Sequence, residues 1–251
     1  MAAIDLNADL GETVDGVPTA DDEAMFAVIS SASVACGGHA GDTASMREAV
    51  QRAARHRVAI GAHPSYPDRE RFGRMPVAMN PAELTASVSG QLAALQDAGA
   101  DIRYVKPHGA LYHGAGSDAE LAAAVLASVQ QLSERLGRAV PVLGMGAVLA
   151  AAAQAAGIPF VHEAFLDRGY RADGTLVPRG EPGDLLHDPA QVAARAVQLV
   201  REGTVQSVDG ATVPCSAASL CLHGDTPEAV EMAHAVRRAL AQNHIPVRPP
   251  W

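Results

Sequence analysis

Val105-Lys106-Pro107-His108-Gly109-Ala110-Leu111-Tyr112 decides how the rest of the chain is read. A β-prone run ends there in a lysine, a proline, a histidine and a glycine, which is a poor way to continue a strand and a good way to build a site. The arrangement recurs. Asp5-Leu6-Asn7-Ala8-Asp9 follows the first apolar run, Cys36-Gly37-Gly38-His39 the second and Gly61-Ala62-His63 the third, and Val161-His162-Glu163 and Leu222-His223-Gly224-Asp225 come later. In a fold of repeated strand-then-helix units, residues just beyond the strands gather at one end of the sheet or barrel. The polar groups are expected to converge, as in an enzyme.

Working outward, short β-prone runs alternate with alanine-rich helical stretches, the pattern of parallel strands joined by crossover helices. Seven units are expected. Strands are predicted at Ala3–Asn7, Ser33–Ala35, Val58–Ala62, Tyr104–Lys106, Val140–Leu143, Phe160–His162 and Ser219–Leu222. Helices are predicted at Asp22–Ser30, Thr43–His56, Pro81–Ala98, Asp118–Leu136, Ala147–Ala156, Pro189–Glu202 and Pro227–Gln242. Asn80-Pro81-Ala82-Glu83 and Asp188-Pro189-Ala190-Gln191 each place a capping side chain before a proline, with Glu or Gln at the third position to complete a capping box. Thr226-Pro227 repeats the cap and proline without the box. Gly99, Gly137, Gly157 and Gly203 are positioned to close helices in the left-handed conformation. The pattern fits an α/β fold, either a barrel one strand short of eight or an open sheet.

The long connections His63–Asn80 and Glu163–His187 are the ones expected to carry function. Ala172-Asp173-Gly174-Thr175 reads as the tip of a hairpin within the second, and Ser207–Val213 as another before the last strand.

At 251 residues, nearly half of them apolar, the chain has material for one large core, and a single domain over 1–251 is expected. The formal charge of −9, without a lysine- or arginine-rich run, argues against nucleic acid and for a small substrate or a protein partner. The start lacks the basic and apolar segments of a secretory signal, and no stretch is suited to spanning a bilayer. Cys36, Cys215 and Cys221 form no CxxC pair, which fits a reduced cytoplasmic protein. Cys215 and Cys221 read as small buried residues.

Asp5 and Asn7 share a face of the first strand by its two-residue period, with Asp9 just beyond; Glu12 reads as a solvated turn residue. An acid on the core side of a strand needs a partner. His39, His63, His108 and His223 follow different strands. Gathered with a carboxylate they could hold a zinc-like ion, for which Asp9, His39 and His63 are the candidates, or they could position a substrate carboxylate or shuttle protons. Spacing alone leaves these open. Lys106 is expected to point into the mouth and meet carboxylate or phosphate, with a structural ion pair to Glu163 or Asp225 as the competing account. Arg74 and Arg168, beside aromatics or glycines, stand out from the loop charges that are simply solvated. No phosphate-binding loop or dinucleotide fingerprint occurs.

DLNADLGE (Asp5–Glu12), ACGGHAGD (Ala35–Asp42), GAHPSYPDRERFGR (Gly61–Arg74), VKPHGALY, EAFLDRGYRADGTLVPR (Glu163–Arg179) and LHGDTP (Leu222–Pro227) together resemble the LamB/YcsF family, which supplies the A subunit of bacterial 5-oxoprolinase. The resemblance implies a seven-stranded (β/α) barrel of the glycoside hydrolase/deacetylase type. It also implies a part in ATP-dependent opening of 5-oxoproline to L-glutamate with two further subunits, B and C. The blocks add Asp42, Tyr66, Phe72, Gly73, Tyr112, Asp167 and Tyr170 to the positions of interest. Ser33, Gly38 and Met75 depart from the residues usual in the family.

The implied catalytic residues are Asp9, His63, Lys106, His108 and Asp225, with Asn7, His39, Arg74, Tyr112, Glu163, Arg168 and His223 toward substrate. In that scheme Lys106 and an arginine stabilise phosphate charge, while His108 or His63 with Asp9 or Asp225 moves protons and orients water. ATP is the implied cofactor, with a divalent cation accompanying it as magnesium or held in the site. Homo-oligomerisation is left open. The competing expectations are a metal-dependent deacetylase or amidohydrolase acting alone, and a scaffold protein that binds a small acid without turnover.

Overall fold

The apolar runs become the staves of a closed barrel in the computed structural model, which describes residues 3–226 and 228–251. In chain order the elements are β1 (Asp5–Leu10), β2 (Thr13–Val14), β3 (Val17–Pro18), α1 (Asp22–Phe26), β4 (Ser31–Ala35), α2 (Thr43–His56), β5 (Ala59–His63) and α3 (Pro81–Asp97). They continue with β6 (Ile102–Val105), α4 (Gly109–Ser117), α5 (Ala119–Leu136), β7 (Val142–Gly144), α6 (Ala147–Ala155), β8 (Phe160–Phe165), α7 (Pro189–Glu202), β9 (Thr204–Gln206), β10 (Thr212–Pro214), β11 (Ser219–Cys221) and α8 (Ala229–Gln242). Seven parallel strands close in the order β1-β11-β8-β7-β6-β5-β4, and β1 pairs back to β4 through Asn7↔Ser31 to Leu10↔Val34. The seven-stranded barrel is therefore realised, and the open sheet is not.

β1 shows why a polar strand can be a stave. All six residues are buried, and period-two geometry splits them into two sets. Leu6, Ala8 and Leu10 join the apolar core, while Asp5, Asn7 and Asp9 hydrogen-bond inside the barrel. That core is one contiguous cluster running from Ile4 to Ile245.

The barrel's lower end is filled by an aromatic stack on a serine floor. Trp251 lies over Tyr104 with ring centroids 4.1 Å apart, and its indole N–H donates to Ser31 Oγ at 3.0 Å. The Asp5 carboxylate accepts from Ser30, Ser31 and Ser219, and burial, only partly offset by these hydroxyls, pushes its pKa up. Gly61 on β5 faces the Tyr104 ring so closely that a Cβ there would lie 2.2 Å from it.

Boundaries differ from expectation in instructive ways. The first strand runs Asp5–Leu10 rather than Ala3–Asn7, so Asp9 lies within the strand and not past its end. The first helix stops at Phe26 rather than Ser30. An unexpected helix, α4, follows VKPH; Gly109, Gly114 and Gly116 mask it in the sequence, since glycine is a weak helix former. Asp15-Gly16 turns a small β2–β3 hairpin that is likewise unexpected.

Asn80 and Glu83 form the expected capping box, whereas Asp188 caps only through Ala190 N–H, without the reciprocal bond from Gln191. Gly137 and Gly203 cap α5 and α7 in the left-handed conformation, and Gly99 and Gly157 take positive φ one residue past the caps of α3 and α6. Pro227, expected to open the last helix, lies outside the described residues. Both expected hairpins form, one around Tyr170↔Leu176 and the other as β9–β10. No helix among the described residues is long and apolar enough to cross a membrane.

Gly61→Ala should destabilise the protein by roughly 1–3 kcal/mol or more, because the buried Tyr104 ring is pinned under Trp251 and overpacking is not relieved. A urea midpoint equal to that of the unsubstituted protein would refute this packing account.

Candidate functional site

Each stave except β7 delivers polar side chains to the upper end. Asp9 comes from β1 and Glu12 from just beyond it, His39 follows β4, His63 ends β5, and Lys106 and His108 follow β6. Glu163 lies on β8, Cys221 ends β11, and His223 and Asp225 follow it.

Lys106 is the hub. Its ammonium is 1 % exposed and lies 2.8 Å from Asp9 Oδ1, 2.9 Å from Glu163 Oε1, 3.2 Å from Asn7 Oδ1 and 3.2 Å from Cys221 Sγ. Burial opposes the charge, but the Asp9 carboxylate leads the partners that outweigh it and hold the ammonium well above lysine's ordinary value. Asp9 is likewise held well below the carboxylate range, its burial overcome by His63 and Lys106. Glu163 is braced by the Tyr112 hydroxyl at 2.9 Å and by the Asn7 amide at 2.9 Å. The same amide donates to Ser219 Oγ at 2.8 Å, continuing the polar column down to Asp5.

Beside the lysine stands a histidine cluster. His63 Nε2 lies 3.4 Å from Asp9 Oδ2 and 3.0 Å from His108 Nδ1. His39 stacks on His108, with centroids 3.7 Å apart and planes 5° from parallel, and its Nε2–H donates to Glu12 Oε1 at 2.9 Å. Burial pushes the His39 and His108 imidazoles well below their usual pKa and raises that of Glu12. Across the site the His223 Nδ1–H faces both Asp167 oxygens, at 3.0 and 2.9 Å. Burial disfavours its charge, but the Asp167 carboxylate wins and raises its pKa. That contact leaves Nε2 to the cavity, with the ring stacked on Phe165.

These groups surround a cavity of about 430 Å³. Asp9, His63, Lys106, His108, Asp225, Arg74, Tyr112, Arg168 and His223, all expected at the site, line it. Asn7 and Glu163 support Lys106 from the barrel interior, and His39 lies behind His108. Arg74 pairs with Asp225 at 3.0 Å across the mouth and lies over the Phe72 ring. Arg168 lines the cavity with its guanidinium turned to loop carbonyls, 3.1 Å from Asp184 O and 2.6 Å from Val177 O.

Glu12, Cys221 and Arg179 line or support the cavity although the sequence reads each of them otherwise. Glu12, which reads as a solvated turn residue, is 7 % exposed and bonded to His39. Cys221, which reads as a bland core residue, touches the Lys106 ammonium. Arg179, which reads as solvated loop charge, lines the cavity with no carboxylate within salt-bridge distance among the described residues. The competing ion pair for Lys106 is present with Glu163 and not with Asp225.

Four residues, Glu12, His39, His63 and His108, have the composition of a metal centre, with one potential ligand atom from each lying within 4.8 Å of the others. Of the residues expected to hold an ion, Asp9 falls in a second group, with Cys221 and His223.

The fold agrees with the relationships of the chain. The model of the LamB/YcsF family matches residues 4–250. An Agrobacterium fabrum protein that bears the name of a 5-oxoprolinase A subunit is 45 % identical, covering 99 % of this chain and 98 % of its own. A Streptomyces griseus protein of the same name is 48 % identical, covering 98 % of each. The crystal structure of a lactam utilization protein from Thermus thermophilus superposes with a TM-score of 0.91 at 40 % identity, covering 98 % of this chain and 99 % of that one. A match that runs the length of the chain in sequence and in structure carries more weight than six separate blocks, and the chain belongs to the LamB/YcsF family.

Proposed function

We propose that this chain is the A subunit of an ATP-dependent 5-oxoprolinase, a cytoplasmic enzyme that opens the lactam of 5-oxo-L-proline to L-glutamate together with B and C subunits. The observation that carries the reading is the convergence of Asp9, His63, His108 and Lys106 on one cavity in a chain 45–48 % identical, end to end, to proteins bearing that name. The three free cysteines and the contiguous core suit a single domain in a reducing compartment.

A five-membered lactam is a nearly unstrained amide, and water attacks it slowly. Transfer of a phosphoryl group from ATP to the lactam oxygen would activate the ring carbon. One water adds there, the C–N bond breaks as the ring nitrogen takes up a proton, and a second water hydrolyses the resulting acyl phosphate to glutamate and phosphate. ATP, with its usual magnesium, is thus the co-substrate of the assembled enzyme. Asp9, kept ionised, and the adjacent His63 are then the pair to accept a proton from water, with His108 next in line. Lys106 commits its donors to Asp9, Glu163 and Asn7, so its main work is to hold those carboxylates in place. Stabilisation of developing anionic charge falls to cations with reach into the cavity, Arg179, Arg74 and the Nε2 side of His223.

Two measurements test this. ATP-dependent glutamate release from 5-oxoproline should appear only when the chain is co-expressed with B and C subunits, and His108→Ala in that assembly should lower it by about 100-fold or more. Hydrolysis without ATP by the chain alone would instead establish a stand-alone amidohydrolase, and undiminished release by the variant would remove His108 from the chemistry. Lys106→Met strands two buried carboxylates and should cost roughly 3–5 kcal/mol of stability. An unchanged urea midpoint would show that Asp9 and Glu163 do not depend on the ammonium.

A further inference from the structure

His63 and His108 face each other with the wrong atoms for a hydrogen bond between neutral rings. His63 Nδ1 lies 2.7 Å from the Lys106 carbonyl oxygen, and His108 Nε2 lies 2.9 Å from the Phe72 carbonyl oxygen. A carbonyl only accepts, so each of those nitrogens carries the ring proton. The remaining nitrogens, His63 Nε2 and His108 Nδ1, therefore present lone pairs to one another at 3.0 Å. Asp9 Oδ2, a third acceptor, stands 3.4 Å from the same His63 nitrogen. Such a meeting of acceptors calls for a cation between them.

The four-residue cluster as a whole does not fit one ion. A metal lies near the plane of each imidazole that ligates it, and His39 and His108 are stacked with parallel planes, so one ion cannot lie in both. His63 and His108 cross at 85°, and their planes share a line on which an ion can sit. Glu12 Oε1 is 3.7 Å from His108 Nδ1, and the edge of a tetrahedron with metal–ligand bonds of 2.0–2.1 Å is about 3.3 Å. We propose that His63 Nε2, His108 Nδ1 and Glu12 Oε1 are the protein ligands of a zinc-class divalent ion, with its remaining position open to the cavity that all three residues line.

Each ligand has a neighbour that fixes the required atom: the Lys106 carbonyl for His63, the Phe72 carbonyl for His108 and the His39 Nε2–H for Glu12. The turn that supplies the Phe72 carbonyl is strained to do so. Phe72 has φ +54° and Gly73 φ +61°, and a Cβ on Gly73 would come within 2.9 Å of His39 Cβ and 3.2 Å of His108 Cδ2. Two imidazoles and one carboxylate favour zinc, cobalt or nickel over magnesium or calcium. His39, expected as a ligand, becomes the residue that orients Glu12.

With the ion bound, His63 and His108 serve as its ligands and the proton from water passes to Asp9, whose Oδ2 stands 3.4 Å from His63 Nε2. The site is tested apart from the lactam reading, with neither substrate nor ATP. The full chain, stripped with a chelator and dialysed, is titrated with Zn²⁺ by calorimetry and with Co²⁺ by absorption and X-ray absorption spectroscopy. The expected result is one ion per chain, two imidazoles in the cobalt shell, and no competition from excess Mg²⁺. His63→Ala and His108→Ala, checked for native circular dichroism, should weaken zinc binding by more than about 100-fold, and His39→Ala by about 10- to 100-fold. Absence of zinc binding by the folded chain, or a cobalt shell of oxygen atoms without imidazole, would overturn the site and leave a proton as the shared cation. The spectroscopy of the unsubstituted chain decides the matter even if the variants do not fold.

Discussion

An ammonium ion buried among carboxylates inside a protein sets the terms for everything above the middle of this barrel. Lys106 loses its hydration entirely, and the loss is offset only because Asp9 and Glu163 both reach it within 2.9 Å while Asn7 and Cys221 fill the remaining sides. Those partners come from β1, β8 and β11, so the strands must close into a ring for the charge to be tolerated. The interior alternation of β1, with acids and an amide pointing inward, is the sequence counterpart of that requirement. Tyr112 and Ser219 then satisfy the lone pairs and donors that the ion pairs leave over.

The same arrangement places a strongly ionised Asp9 between a permanent cation and a histidine pair. An acid fixed on one side by Lys106 presents its other oxygen to His63 without freedom to turn away. The histidines are fixed as firmly, each by a backbone carbonyl. Reactive atoms are thus aimed by main chain and buried charge, and His223, Arg74 and Arg179 also line the cavity.

Residues directly following an apolar run can be read from the sequence, because parallel topology sends all such positions to one end; Asp9, His63, Lys106, His108 and His223 belong to this class. Glu12 cannot, since its burial comes from a turn that folds it back under His39, a contact 27 residues away in the chain. Cys221 is hidden by chemistry, as a thiol in a β-strand reads as a small apolar residue until an ammonium is placed 3.2 Å from it. Arg168 illustrates the reverse case. Its position at the cavity is foreseeable, but its engagement with carbonyls of its own long loop depends on how that loop packs. The repeated strand-then-helix unit can be anticipated from the sequence, whereas the order of the staves and closure at β1–β4 depend on pairings that only the structure reveals.

The aromatic stack at the foot of the barrel makes the two ends of this molecule unequal. With Tyr104 fully buried beneath Trp251 and Asp5 sealed among serines, the lower half of the interior is solid. The cavity lies at the other end, with Arg74 and Asp225 paired in its lining. The foot of the barrel is thus given over to rigidity, and the groups that meet an arriving molecule all belong to the opposite end.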